Sequence, residues 1–219
     1  MVRIFAFWAS DLVALLRLMR NNKIDPKSIG RLEVGTETLI DKSKSVKTYL
    51  MDYFKQHGNE DIEGAMSVNA CYGGTAALFN SIAWMESRSW DGRDAIVIMS
   101  DVAFYKEGSA RATGGAGAVA ILITPNAPIT FEPYRASNMR HCYDFYKPYM
   151  DREYPEVNGM LSVENYFSSL GKCYQNLKSK YIRHFRERLD VRSFDHILFH
   201  SPFNKQVKKS FAKLIYDDL

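Results

Sequence analysis

Residues 69–74 read Asn-Ala-Cys-Tyr-Gly-Gly, and no other stretch constrains the possible folds of this chain as strongly. An apolar run at 66–70 leads into Cys71. A Gly-Gly pair then opens a helical pattern over 75–87, with Ala77, Phe79, Ile82 and Met85 among its apolar positions. A strand that turns sharply into a helix is the building unit of α/β folds. The turn also gives the thiol a chemical setting. A cysteine there lies near the positive end of a helix dipole, within reach of backbone N–H groups and water. These conditions lower a thiol pKa and predict a nucleophilic thiolate at Cys71.

The flanking sequence continues the alternation. Residues 11–22 place Leu12, Leu15, Leu16 and Met19 on one helical face, with Ser10 or Asp11 as its cap. Asp25-Pro26 ends that helix, 29–34 reads as a strand, and a helix over 43–57 turns Val46, Leu50, Tyr53 and Phe54 inward. The runs 95–99 and 116–123 are continuously apolar, as buried parallel strands are. Residues 125–155 are irregular, and 163–189, 196–200 and 204–217 read as a long basic helix, a strand and a final helix. This order predicts an α/β fold, a mixed sheet with covering helices. No Gly/Ser-rich linker divides it, so 11–219 reads as one domain. A separate segment, 1–10, precedes it, and its apolar run at 4–9 suits a short strand.

Composition narrows the function classes. With 46% hydrophobic and 25% charged residues, the chain has an ordinary globular balance. A formal net charge of +4 is too small to point to nucleic acid and suits an anionic ligand. No run approaches the length of a membrane span, and the start resembles no targeting signal. Cys71, Cys142 and Cys173 form no metal-ligand spacing, and free thiols suit a reducing compartment such as the cytoplasm. The glycines of Gly114-Gly115-Ala116-Gly117 lead into a strand rather than a helix, so they are no dinucleotide fingerprint.

Two further residues fit beside Cys71. Glu37, in Gly-Thr-Glu-Thr, follows a strand at the sheet edge where open α/β folds bind ligands. It reads either as a solvated loop glutamate or as a base that removes a proton next to a thioester carbonyl. His200 closes the expected strand at 196–200 and reads either as a structural histidine or as a group that polarises a carbonyl. Nucleophile, base and electrophilic partner are the components of an acyl-transfer site. On the final helix, Lys205, Lys209 and Lys213 recur on one face beside Lys208, which is either a solvated face or a docking edge for a phosphorylated carrier. The opposing stripe is Val207, Phe211, Leu214 and Ile215.

The strings RLEVGTET (31–38), DKSKSVKTYLM (41–51), NACYGGTAALFN (69–80), SWDGRDAIV (89–97), YDFYKPYM (143–150) and FHSPFNKQVKKS (199–210) resemble 3-hydroxy-3-methylglutaryl-CoA synthases of the eukaryotic type. The resemblance implies a thiolase-like fold, of which 11–219 carries the N-terminal half only, with 1–10 outside the match. It implies an acyltransferase of isoprenoid or ketone-body metabolism that condenses acetyl-CoA with acetoacetyl-CoA. Cys71 would carry the acetyl group, Glu37 would deprotonate it and His200 would hold the second substrate. Lys205 and Lys209 match coenzyme A contacts, Thr113 and Ser162 match acyl contacts, and Ser109 stands where the family usually has Asn. Asp101 matches a family aspartate near the site. No metal or cofactor is expected, since the coenzyme A thioesters are themselves the substrates. A homodimer is implied, with no nucleic acid or membrane partner, in the cytoplasm or the mitochondrion. The missing half also suggests a truncated, non-catalytic paralogue that binds a full-length synthase.

Overall fold

The computed structural model describes residues 2–39 and 41–219, and for residues 2–8 the backbone alone. The chain divides into two compact units, the first comprising residues 1–104 and 114–130 and the second 105–113 and 131–219.

The first unit is a four-stranded mixed sheet in the order β2-β1-β3-β4. Its strands are β1 (Ile29–Gly35), β2 (Met66–Ser67), β3 (Asp94–Ala103) and β4 (Gly115–Ile123). β1 runs parallel to both β2 and β3, while β4 is antiparallel to β3. Helices α1 (Val2–Asn21) and α2 (Val46–Gln56) supply Leu15, Met19, Leu50 and Phe54 to a core with Leu32, Val34, Ile96 and Ile98. Helix α3 (Gly73–Met85) packs on β1 and β3 through its own buried face, Ala77, Ser81 and Trp84. Burying each large aliphatic or aromatic side chain of such a core is worth about 1.5–3 kcal/mol. Ser45 caps α2 by accepting from the Thr48 N–H.

Three sequence expectations change in this unit. Residues 2–10 continue α1 rather than forming a strand. A helix pairs its own backbone, whereas no neighbouring strand is available among the described residues. How side chains 4–8 pack lies outside the described residues. Asp11 is therefore no cap: it sits inside α1 and is fully buried, while Leu12 is exposed. Strand β4 forms where a parallel, buried strand was expected but runs antiparallel to β3 at the sheet edge, and Val119 is 55% exposed.

The second unit is built on α4 (Gly159–Phe185) and α5 (Asn204–Asp218), with a hairpin of β5 (Phe145–Tyr146) and β6 (Glu156–Val157). Asp218 ties it together, accepting from Tyr174 Oη at 2.8 Å, the Val191 N–H at 2.8 Å and Lys178 Nζ. Burial and the Asp218 carboxylate push the Tyr174 phenol pKa up. Two expectations fail here as well. Residues 196–200 form no strand, because no partner strand lies beside them among the described residues. The buried face of α5 is Gln206, Ser210 and Leu214, whereas Phe211 and Ile215 are exposed.

One close backbone approach in the sheet unit joins the end of β1 to the start of α3. A Cβ on Gly35 would lie 2.4 Å from Gly74 Cα and N and 2.5 Å from the Gly73 carbonyl carbon. A Cβ on Gly74 would meet only the flexible Met99 side chain, at 2.9 Å. Gly115 has nothing within 4 Å. Gly35→Ala is therefore expected to destabilise the chain by about 1–3 kcal/mol or more, since overpacking against backbone forces a shift. Gly74→Ala should have a smaller effect and Gly115→Ala the least. Denaturant melts of the three variants test this order.

Candidate active site

The turn before α3 is tight. The Asn69 carbonyl accepts from the N–H groups of both Tyr72 and Gly73, at 2.9 and 3.0 Å. Ala70 adopts a left-handed φ of 38°, uncommon for a residue with a Cβ. Such strain is characteristic of functional turns. Cys71 follows it and is exposed.

Across the glycine contact, the backbone beyond Gly35 carries Thr36, Glu37 and Thr38. One oxygen of Asp101, on β3, holds this loop. Asp101 Oδ1 accepts from Thr36 Oγ1 at 2.9 Å, the Glu37 N–H at 2.8 Å, the Thr38 N–H at 3.2 Å and Thr38 Oγ1 at 3.1 Å. Thr38 Oγ1 in turn accepts from the Val102 N–H at 3.0 Å, which locks the loop to β3. Hydrogen bonds to an ionised acceptor are the strong kind. Thr36 and Thr38 are each 1% exposed. Neither threonine carries a chemical motif of its own, although threonines flanking a loop glutamate are a recognisable sign of local side-chain-to-backbone bonding.

These contacts bring Cys71 and Glu37 together, with Cys71 Sγ donating to Glu37 Oε1 at 3.9 Å. The pairing corrects the expected thiolate. The Cys71 pKa is pushed up to about 11, first by desolvation of the thiol and then by the negative charges of Glu37 and Asp101. The residue as a whole is exposed, yet enough protein surrounds its sulfur for desolvation to dominate. The favourable backbone interaction at the helix start is present but smaller than these effects. At neutral pH the resting group is thus a thiol. A carboxylate within reach makes proton removal local, so the pair can act as nucleophile and base.

The remaining candidates belong to the second unit. His200 is exposed, and its carbonyl accepts from Tyr166 Oη at 2.7 Å. Burial of its ring lowers its pKa. Thr113 and Ser109 are exposed, and Thr113 Oγ1 donates to the Ala110 carbonyl at 2.6 Å. Ser162 is half-buried in the first turn of α4. Lys205 and Lys209 are exposed on α5, whereas Lys213 pairs with Asp217 at 2.9 Å. Among the described residues, no helix is long and apolar enough to cross a membrane.

Comparison with known proteins matches residues 7–128 to the model for the N-terminal part of hydroxymethylglutaryl-coenzyme A synthase. Residues 129–219 match the model for its C-terminal part. The chain is 54% identical over 212 residues to hydroxymethylglutaryl-CoA synthase A of Dictyostelium discoideum, covering 96% of this chain and 44% of that protein. It is 51% identical to the cytoplasmic hydroxymethylglutaryl-CoA synthase of Gallus gallus, covering 94% of this chain and 41% of that one. The chain thus spans less than half the length of either relative. Its fold superposes with a TM-score of 0.88 on MvaS in complex with 3-hydroxy-3-methylglutaryl coenzyme A, at 30% identity, covering 97% of this chain and 52% of that one.

The raised thiol pKa sets a measurable pH dependence. Only the thiolate alkylates, so the rate rises with pH until the group is ionised. The rate of Cys71 alkylation by iodoacetamide should climb to a midpoint of about 11. In Glu37→Gln, which removes one neighbouring negative charge, the midpoint should move down. A wild-type plateau already reached at neutral pH would contradict this. Peptide mapping separates Cys71 from the other two cysteines.

Proposed function

Since the chain belongs to the hydroxymethylglutaryl-coenzyme A synthase family, we propose that it performs that family's acyl transfer. Acetyl-CoA and acetoacetyl-CoA condense to 3-hydroxy-3-methylglutaryl-CoA through an acetyl group carried on Cys71. The observation that carries this reading is the 3.9 Å contact between Cys71 Sγ and Glu37 Oε1 at a strained strand-to-helix turn.

As Sγ bonds the acetyl carbonyl carbon, the thiol proton passes to Glu37, and coenzyme A leaves with that proton as its free thiol. Glu37, a carboxylate again, takes a proton from the acetyl methyl group. The carbanion attacks the ketone carbon of acetoacetyl-CoA. Burial favours the neutral form of His200, whose N–H in this reading polarises the ketone oxygen. The alkoxide takes up the proton that Glu37 holds, and water cleaves the Cys71 thioester to release the product. Lys205 and Lys209 supply positive charge for the coenzyme A phosphates, and Thr113, Ser162 and Ser109 contact the acyl chains. No cofactor enters these steps. A homodimer follows from the family, and the cytoplasmic relative supports a cytoplasmic location.

A second reading is a non-catalytic chain that binds a full-length synthase: residues 196–200 form no strand and present Leu198, 95% exposed, an apolar side chain that a bound partner would cover. Intact-mass measurement after incubation with acetyl-CoA separates the two. Catalysis predicts one acetyl adduct on the wild-type chain and none on Cys71→Ala. A folded wild-type chain that stays unmodified leaves the binding role.

A further inference from the structure

His200 lies where no regular element fixes it. Residues 196–200 form no strand, and α5 starts only at Asn204. Phe203, the N-cap between them, makes no side-chain cap bond. A backbone carbonyl outside a ladder or helix needs another donor. Tyr166 supplies one from α4, its Oη donating to the His200 carbonyl at 2.7 Å. The Tyr166 and His200 ring centroids are 6.5 Å apart, with the planes tilted by 31°. Phe167 meets the Tyr166 ring edge-on at 5.7 Å. Tyr166 thus reaches from a 27-residue helix to an irregular segment.

We propose that Tyr166 is a positioning residue for His200: its hydroxyl ties the His200 backbone to the face of α4 that also carries Ser162. The i, i+4 spacing places Ser162 and Tyr166 on one side of the helix. In the reading above, Ser162 contacts the acyl chain and the His200 N–H polarises the ketone oxygen. Such groups act only when held in the right geometry, and a rigid element holds them best. The tether uses the main-chain carbonyl, so it leaves both ring nitrogens available to a substrate oxygen.

The state of the ring agrees with a fixed placement. His200 as a residue is exposed, yet its ring is enclosed enough for desolvation to lower its pKa. Desolvation disfavours the charged form of an imidazole. The ionisable groups nearest to the contact in sequence are Glu164 on α4, Lys205 on α5, and Asp195 and His196 on the segment itself. None of them contributes to the shift. An imidazole released from the tether turns toward water and recovers its ordinary value of 6.5.

Histidine ring NMR of the full 219-residue chain, titrated without substrate, tests the inference. The wild-type His200 ring should titrate below 6.5. Tyr166→Phe keeps the aromatic ring and removes only the hydroxyl. In this variant the His200 midpoint should move up toward 6.5, while the His184 ring, bonded to Tyr134 further along α4, keeps its chemical shift. An equal midpoint in the two proteins overturns the proposal, even if the variant is less stable, because a purely structural tyrosine would not move the titration. A His184 shift as large as that of His200 would report a general disturbance of α4 and overturn it too. If Tyr166→Phe does not fold, the nuclear Overhauser contact between the two rings in the wild type decides. Its presence supports the tether and its absence overturns it. The inference rests on the proposed role of His200 in the condensation. No substrate is present in the titration, so a failed condensation assay and a failed tether are read separately.

Discussion

The backbone-to-backbone contact between Gly35 and Gly73-Gly74 is the constraint on which the candidate site depends. A side chain on Gly35 would overlap the first turn of α3, so strand end and helix start touch directly. Glu37 lies just beyond one side of this contact and Cys71 just before the other. The contact therefore sets the spacing of thiol and carboxylate. Asp101 then fixes the angle of the Glu37 loop from the neighbouring strand, through four donors on a single oxygen. Sheet order matters for the same reason. Because β1 lies between β2 and β3, it receives the helix turn that follows β2 and the anchoring aspartate of β3.

The electrostatics of the pair follow from its neighbours rather than from the helix. A helix start alone favours a thiolate, but Cys71 faces two carboxylates and a desolvated setting, and these dominate. The resting site keeps its nucleophile protonated beside its base. This arrangement suits a reaction in which the same carboxylate must later remove a proton from carbon. A thiol at rest also leaves the Glu37 carboxylate without an adjacent thiolate, whose charge would oppose its own.

Much of the first unit was legible from local pattern. The apolar faces of 43–57 and 75–87 and the β-branched run at 95–99 correspond to α2, α3 and β3. Cys71 and Glu37 were both identifiable from their positions at strand ends. What failed depended on residues distant in sequence. The thiol pKa was misjudged because Glu37, 34 residues away, faces Cys71 in space. Asp11 looked like a cap because its place beside Ser100 has no local signature. The run 116–123 was apolar enough for a buried strand, but its edge position comes from the sheet order. Residues 196–200 have strand character and lack a partner, and a ladder needs both. On α5, periodicity located the helix, but it assigned Phe211 and Ile215 to the buried face that Gln206 and Ser210 occupy.

At rest, Cys71 is a thiol hydrogen-bonded to the Glu37 carboxylate. Infrared difference spectroscopy between the wild type and Cys71→Ala reads this directly, because the subtraction cancels the S–H bands of Cys142 and Cys173. An S–H stretching band is expected at neutral pH, lowered in frequency by the bond to Glu37 and displaced in Glu37→Gln. A difference spectrum without an S–H band at neutral pH would instead show a resting thiolate.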